Sequence, residues 1–137
     1  MSAYGGRGWS PRRSSLREEA GRIWGRFGQS NEWATLRAVL LHRPGPELQT
    51  MQHPDTIQML ARLDLEKARC QHEALAQAYS QADVKVFYVE PGGAGLPNQM
   101  FVSDLMFMTP EGAVVARPAS TVRAGEERPV ARRLAEI

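Results

Sequence analysis

Asp104 is the residue whose chemistry stands out in this 137-residue sequence, because it interrupts the most apolar run of the chain, residues 100–108. Burying a lone carboxylate in such a run is costly unless a cation or hydrogen-bond donors compensate its charge. A bound cation would supply that compensation. The alternative is that strand alternation places Asp104 on a solvated face with Val102 and Met106. The run by itself leaves both interpretations open.

Other arrangements that could carry catalysis are weaker. Cys70 is the only cysteine, which excludes an intramolecular disulfide and a cysteine-based zinc cage. It falls inside a predicted amphipathic helix with no predicted basic partner, so we expect it to pack rather than to act as a nucleophile. His72 lacks a second histidine four residues later, and His42 and His53 are isolated in the sequence, so no metal ligand set is predicted.

The glycine-rich stretch 92–95 follows a predicted strand, as a phosphate-binding loop would. It is followed by Leu96 and Pro97 rather than by a helix start, and no Gly-Lys-Ser/Thr sequence is present. The stretch is therefore interpreted as a connection, and no cofactor is predicted.

The elements that must position these residues alternate between strand and helix. Hydrophobic patterns, turn residues and capping residues predict, in chain order, a strand at 35–42, a helix capped by Asp64, a strand at 84–89, a hairpin of 100–108 with 113–116, and a helix that starts near Pro129. The 3.6-residue period predicts the buried positions of the first helix as Ala68, His72, Leu75 and Tyr79.

The last predicted helix carries Val130, Leu134 and Ile137 on one face and has no Gly or Asn C-cap. Together with unpaired strand edges, this apolar face indicates a larger fold of which the chain is a part. We therefore expect either self-association or a partner that supplies the missing C-terminal part. The charges of Arg123, Glu126 and Glu127 just before this helix fit a solvated helix start.

The first 32 residues form a basic, glycine- and serine-rich arm, expected to be disordered to about residue 15, and residues 33–137 form the folded part. The arm offers no predicted reading helix, so no nucleic-acid partner is expected. No apolar run reaches the roughly 18 residues of a membrane helix, and no secretory pattern precedes the first arginines. A cytoplasmic location without membrane association is the corresponding expectation.

Beyond these patterns, several segments resemble the guanidino-group-modifying enzymes, the family of arginine deiminases, dimethylarginine dimethylaminohydrolases and amidinotransferases. The resemblance covers residues 33–137 and rests on 41–48 (LHRPGPEL), 97–104 (PNQMFVSD), 109–112 (TPEG) and Arg123 next to Glu126 and Glu127. It implies an α/β fold of the pentein type, a partial β/α propeller with about one and a half of five units.

Within that family, the resemblance implies that Asp104 binds the guanidinium nitrogens of an arginine-like substrate and that Phe101 packs on the guanidinium face. Asn98 would orient the amino-acid end, and Arg123 would pair with the substrate carboxylate. A carboxylate and a guanidinium form a strong charge-assisted pair, and an arginine fork suits a carboxylate.

The resemblance also implies chemistry in which a cysteine thiolate attacks the guanidinium carbon and the adduct is hydrolysed or passed to an amine. The family's catalytic histidine and cysteine have no match in this chain. The corresponding expectation is the N-terminal part of a hydrolase or amidinotransferase that is inactive alone. The alternative is a noncatalytic remnant that acts as a ligand-binding or protein-interaction module.

Overall fold

A computed structural model of the chain describes residues 7–49, 53–93 and 95–137. The first six residues of the predicted arm and Ala94 of the glycine-rich connection lie outside the described residues. The described elements are, in chain order, α1 (Leu16–Glu19), β1 (Ala38–Leu41), α2 (Leu65–Gln81), β2 (Lys85–Tyr88), β3 (Met106–Thr109), β4 (Gly112–Val115) and α3 (Glu127–Glu136).

The strands β1 and β2 are parallel neighbours, and α2 forms the crossover between them. Both strands fall inside the predicted runs 35–42 and 84–89, so these two predictions are confirmed. The ladder continues past β2, because the Val89 amide donates to the Leu41 carbonyl over 2.8 Å. His42 Nδ1 lies 3.0 Å from the Val89 carbonyl oxygen and ties the ends of the two strands together.

The helix α2 begins as predicted, with the Asp64 side chain accepting a hydrogen bond from the Lys67 amide at 3.1 Å. Of the predicted buried positions, Ala68, His72 and Tyr79 are half-buried, and the buried residues of the helix are Leu65 and Ala76. Leu75 is exposed, and Ala76 is buried in its place. The buried face of α2 therefore carries a small residue where the sequence pattern favoured a large one.

The hairpin of β3 and β4 is antiparallel, as predicted, with Met106 opposite Val115 and Thr109 opposite Gly112. Only the second half of the run 100–108 is strand. The first half ends in the 3₁₀ turn Val102–Asp104, in which the Asp104 amide donates to the Phe101 carbonyl over 3.2 Å. The expectation that Asp104 lies within a strand is therefore wrong.

The core lies between this hairpin, β2 and α3. It consists of Val89, Val102, Leu105 and Val130, with Leu40, Met106 and Leu134 packed against them. The helix α3 begins at Glu127, two residues before the predicted start at Pro129. The expectation of an exposed apolar face on this helix is wrong for Val130, which is fully buried, whereas Ile137 is exposed.

The segment before β1 packs on the hairpin. Gly28 approaches the carbonyl oxygens of Thr109 and Pro110 with a φ of +106°, and the Gln29 amide donates to the Thr109 carbonyl over 3.3 Å. Glu19 is buried, and its carboxylate accepts hydrogen bonds from Arg12 at 2.7 Å and from the Trp24 indole at 3.1 Å. The division at residue 33 stays a prediction.

Candidate functional site

The four residues that the resemblance assigns to substrate come from two segments that meet beside the start of α3. Asn98, Phe101 and Asp104 lie on the loop that leads into β3. Arg123 ends the 3₁₀ turn Thr121–Arg123, in which the Ser120 hydroxyl accepts a hydrogen bond from the Val122 amide at 3.3 Å. The fold thus brings Arg123 to the loop that carries the other three.

Arg123 joins the two segments through three of its N–H groups. Its Nη1 donates to Asp104 Oδ2 over 2.6 Å, and its Nε donates to Glu126 Oε2 over 2.7 Å. Its Nη2 donates to the Phe101 carbonyl over 3.2 Å. We refer to Asp104, Arg123 and Glu126 as the Arg123 cluster.

Within this cluster, Glu126 is the residue that sequence reasoning missed. It is 0% exposed, although its position was expected to be a solvated helix start. Its Oε1 accepts from the Asn98 amide at 3.1 Å, and its backbone carbonyl accepts from Gln99 Nε2 at 2.9 Å. The three-residue spacing from Arg123 was the signal that could have identified the pair. Glu126 therefore fastens both segments of the site.

Asn98 is 4% exposed, and its side-chain Nδ2 donates to the Ile57 carbonyl over 2.8 Å. This bond connects the site loop to the 3₁₀ turn Pro54–Ile57, where the next residue, Gln58, has a left-handed φ of +63°. With the backbone amide on Glu126 and Nδ2 on Ile57, the amide oxygen of Asn98 is the side-chain atom left for a ligand.

Two of the site residues reach solvent. The Asp104 side chain is 56% exposed, and Phe101 is 43% exposed. The structure does not bury the Asp104 carboxylate. Asp104 is on the surface, as the solvated interpretation expects, but Val102, which was expected on the same face, is buried. The compensation of the Asp104 charge comes from within the chain, from the guanidinium of Arg123.

The electrostatics of the cluster favour an ionised arginine. Burial lowers the pKa of Arg123, but hydrogen bonds to Glu126 and Asp104 outweigh that effect and raise the pKa above its ordinary value. Arg123 is 15% exposed, so one permanent positive charge is held between one buried and one exposed carboxylate. With both carboxylates ionised, the cluster carries a net single negative charge that faces solvent at Asp104.

Cys70 lies apart from this cluster. It is exposed on α2, so the expectation that it packs in the interior is wrong. It lines a shallow groove together with Arg43, Arg69, His72 and Glu73. Burial, followed by the charge of Arg43, lowers the pKa of His72. No residue of the Arg123 cluster lines this groove.

A second buried polar group occupies the end of β1. His42 Nε2 lies 3.5 Å from Glu47 Oε1, and both side chains are buried. The Gly45 amide donates to the same Glu47 oxygen over 2.8 Å. Across the described ranges, no three His, Cys, Asp or Glu side chains lie close enough to hold a metal ion. In the same ranges no helix has the length and apolar character needed to span a bilayer.

Sequence comparison relates the chain to arginine deiminases. It is 41% identical to the enzyme of Clostridium perfringens over 64 residues, which are 44% of this chain and 15% of that protein. It is 40% identical to the enzyme of Streptococcus agalactiae over 73 residues, which are 50% of this chain and 18% of that protein. The chain thus spans less than a fifth of the length of these curated relatives, and no family model matches it.

Structure comparison finds the fold in dimethylarginine dimethylaminohydrolases. A mutant of the Pseudomonas aeruginosa enzyme, complexed with citrulline, aligns with a TM-score of 0.62 and 24% identity over 74% of this chain and 38% of that one. An adduct of the same type of enzyme with 4-chloro-2-hydroxymethylpyridine aligns with a TM-score of 0.60 over 74% and 37%. The chain is thus similar in sequence to arginine deiminases over about half of its length and shares the fold of dimethylarginine dimethylaminohydrolases over about three quarters of it.

Proposed function

We propose that this chain is the N-terminal part of an enzyme that acts on the guanidino group of an arginine-like substrate, and that it supplies part of the substrate site. The observation that carries the proposal is the 2.6 Å pair of Asp104 with a guanidinium, that of Arg123, at a half-exposed position beside Phe101. This internal pair supports the proposal, because a carboxylate and a guanidinium form strong charge-assisted hydrogen bonds.

Each proposed role is compatible with the atoms that remain available. Asp104 has a second carboxylate oxygen for the substrate guanidinium, and the exposed ring of Phe101 can pack on its planar face. The amide oxygen of Asn98 can accept from the substrate ammonium group. Arg123 uses three of its five N–H groups within the chain, and the other two can donate to the substrate carboxylate.

The proposal includes a division of the chain at residue 33, with the segment before it as a basic arm and residues 33–137 as about one and a half of the five units of a propeller. The parallel pair β1 and β2 with α2 as the crossover would be the first unit, and the hairpin with α3 would begin the second. The pentein-like fold of the structural neighbours supports this assignment.

The chemical step is proposed to belong to residues outside this chain. A cysteine thiolate would attack the guanidinium carbon, a histidine would move protons, and the adduct would be hydrolysed or passed to an amine. Cys70 does not fit this role, because its groove shares no lining residue with the Arg123 cluster. That separation also favours a second candidate, a noncatalytic module that binds the ligand without transforming it.

Turnover and binding by residues 1–137 distinguish these candidates from an independent enzyme. We expect no citrulline, by colorimetric assay, and no amidino-transfer product, by mass spectrometry, from arginine or methylarginines. Turnover that survives Cys70→Ala would overturn the assignment of the chemistry to other residues. Turnover abolished by that substitution would make Cys70 the nucleophile and would equally contradict the proposal.

Binding tests the site itself. L-arginine, titrated into the labelled chain and followed by NMR, is expected to shift the signals of Phe101 and Asp104. Asp104→Asn keeps the size of the side chain but removes its charge, and should weaken binding about tenfold. Glu111→Gln, on the exposed hairpin turn, is the matched control and should leave the affinity unchanged. Equal affinities of the two variants, or no binding by the unchanged chain at millimolar L-arginine, would contradict the proposed site.

A further inference from the structure

The charges of the Arg123 cluster determine whether Asp104 can attract a second cation. Asp104 already pairs with the guanidinium of Arg123 at 2.6 Å. A carboxylate whose charge is fully neutralised by a neighbour has little attraction left for a second guanidinium. The cluster needs another negative charge if Asp104 is to bind a cation.

Glu126 supplies that charge. It is fully buried, so it cannot exchange its partners for water, and its Oε2 takes the Nε–H of Arg123 at 2.7 Å. Losing a buried ion-pair partner costs far more than losing an exposed one. The Arg123 charge is therefore committed first to Glu126, and Asp104, which is 56% exposed, keeps a net negative charge toward solvent.

We propose that Glu126 is the positioning residue of the site, which neutralises Arg123 and so makes the Asp104 carboxylate selective for a cationic guanidinium over a neutral ureido group. This inference rests on the proposed function and deepens it. Glu126 touches no ligand. It acts through Arg123 on charge, and through the Asn98 amide on the position of the loop.

Glu126→Gln separates the two effects. The glutamine keeps an oxygen for the Asn98 amide, but it removes the negative charge and turns an N–H group toward Arg123 Nε. Arg123 is then compensated by Asp104 alone. A merely structural role for Glu126 would weaken cationic and neutral ligands alike, whereas a charge-balancing role weakens the cationic ligand specifically.

The experiment is an NMR titration of the full chain with methylguanidinium and, separately, with the neutral isostere methylurea. The unchanged chain should prefer methylguanidinium, and Glu126→Gln should reduce that preference about threefold or more. Glu127→Gln removes a neighbouring carboxylate that accepts from the Gly125 amide, and it should leave the preference unchanged.

A second variant keeps the test decisive where Glu126→Gln unfolds the chain. The double substitution Arg123→Met with Glu126→Gln removes both charges of the buried pair and leaves Asp104 unneutralised, so the preference for methylguanidinium should return to that of the unchanged chain. An equal loss for both probes in Glu126→Gln, or no preference in the double variant, would overturn the inference. Loss of L-arginine binding with the methylguanidinium preference intact would instead count against the proposed function alone.

Discussion

Glu126 and Glu47 are both buried carboxylates, but the chain holds them in different ways. Glu126 binds the permanently charged guanidinium of Arg123 and the amide of Asn98. Glu47 accepts from the Gly45 amide at 2.8 Å and faces His42, a residue that is charged only when protonated, at 3.5 Å. Glu126 thus pairs with a guanidinium, whereas Glu47 lies beside an imidazole.

The two carboxylates also differ in their connection to the protein surface. The Glu126 pair continues to the surface through Arg123 and Asp104. Glu47 is enclosed, with the backbone of Gly45 and of Gly95 against its carboxylate. A buried charge that is linked to an exposed one can influence a ligand, whereas an enclosed one mainly fixes the backbone around it. Ligand recognition on the α3 side and structural support at the end of β1 are the corresponding predictions.

Removal of the Arg123 guanidinium is expected to have the largest effect on stability among the variants that test this comparison. Arg123→Met leaves Glu126 buried without its counter-ion and should lower the free energy of unfolding by about 3 kcal/mol. Urea denaturation measures the change. Glu66→Gln, which breaks the exposed pair with Arg69, should cost less than about 0.5 kcal/mol. Similar losses in the free energy of unfolding for both variants would mean that burial of Glu126 does not strengthen its dependence on Arg123.

Gly45→Ala tests the enclosure of Glu47. A Cβ at this position would overlap the Glu47 carboxylate, while the φ of −123° is open to alanine, so side-chain crowding is the only change. We expect a loss of about 1–3 kcal/mol in the free energy of unfolding. Gly93→Ala, with no atom near its Cβ, is the control and should change it by about 0.5 kcal/mol at most. An unchanged free energy of unfolding in Gly45→Ala would show that the Glu47 side chain can shift away from the added Cβ.

A smaller effect is expected from a change of pH, which should alter stability around His72 but not around Arg123. Burial, and then Arg43, lower the pKa of His72 from 6.5, so the unfolded chain binds a proton that the folded chain resists. That contribution to stability is complete above pH 6.5 and is lost as the pH falls below it. Because the imidazole is partly solvated, the loss between about pH 7.5 and pH 5.5 should be about 0.5 kcal/mol or less.

Amide exchange followed by NMR should detect this loss in α2 and β2 but not in the Thr121–Arg123 turn, where Arg123 stays charged throughout. His72→Gln should remove the response. Glu19, whose pKa is lowered chiefly by its hydrogen bond with Arg12, loses its contribution only as the pH falls below 4.5, outside this range. An equal pH response in both regions would contradict the contrast.

The smallest expected effect is at Leu75. Because this side chain is exposed on α2, Leu75→Gln should change the free energy of unfolding by about 0.5 kcal/mol at most. Ala76→Leu, one residue later on the buried face, should cost about 1–3 kcal/mol by overpacking a buried position. Thermal unfolding of the two variants measures both values, and the reverse order would restore the burial pattern expected from sequence.

Local rules were enough for much of the fold. The strands β1 and β2, the Asp64 cap and the hairpin each depend on residues close together in the chain, and they are confirmed, apart from the first half of the run 100–108. The choice between Leu75 and Ala76 was not local, because it depends on how α2 lies against the rest of the fold. Hydrophobicity favoured the leucine, but the structure buries the alanine.

The candidate site, too, was predicted from the sequence only in part. Its four residues were named from a resemblance, and the fold gathers Asn98, Phe101 and Asp104 with Arg123, but their roles toward a ligand stay predictions. The burial of Glu126 could not be read from a charge-rich segment, since an acidic residue before a helix is ordinarily solvated. Its partners Asn98 and Gln99 are 28 and 27 residues away, beyond the reach of any local pattern.

The bond between His42 and Val89, which are 47 residues apart, has a consequence for how the chain folds. Bringing the ends of so long a loop together costs about 3–4 kcal/mol of chain entropy before any contact between β1 and β2 repays it. The 17 residues of α2 form within about a microsecond and shorten that loop, so the helix should precede the sheet. The rate of folding is then set by the encounter of β1 with β2, and substitutions that weaken α2 should slow folding more than they speed unfolding.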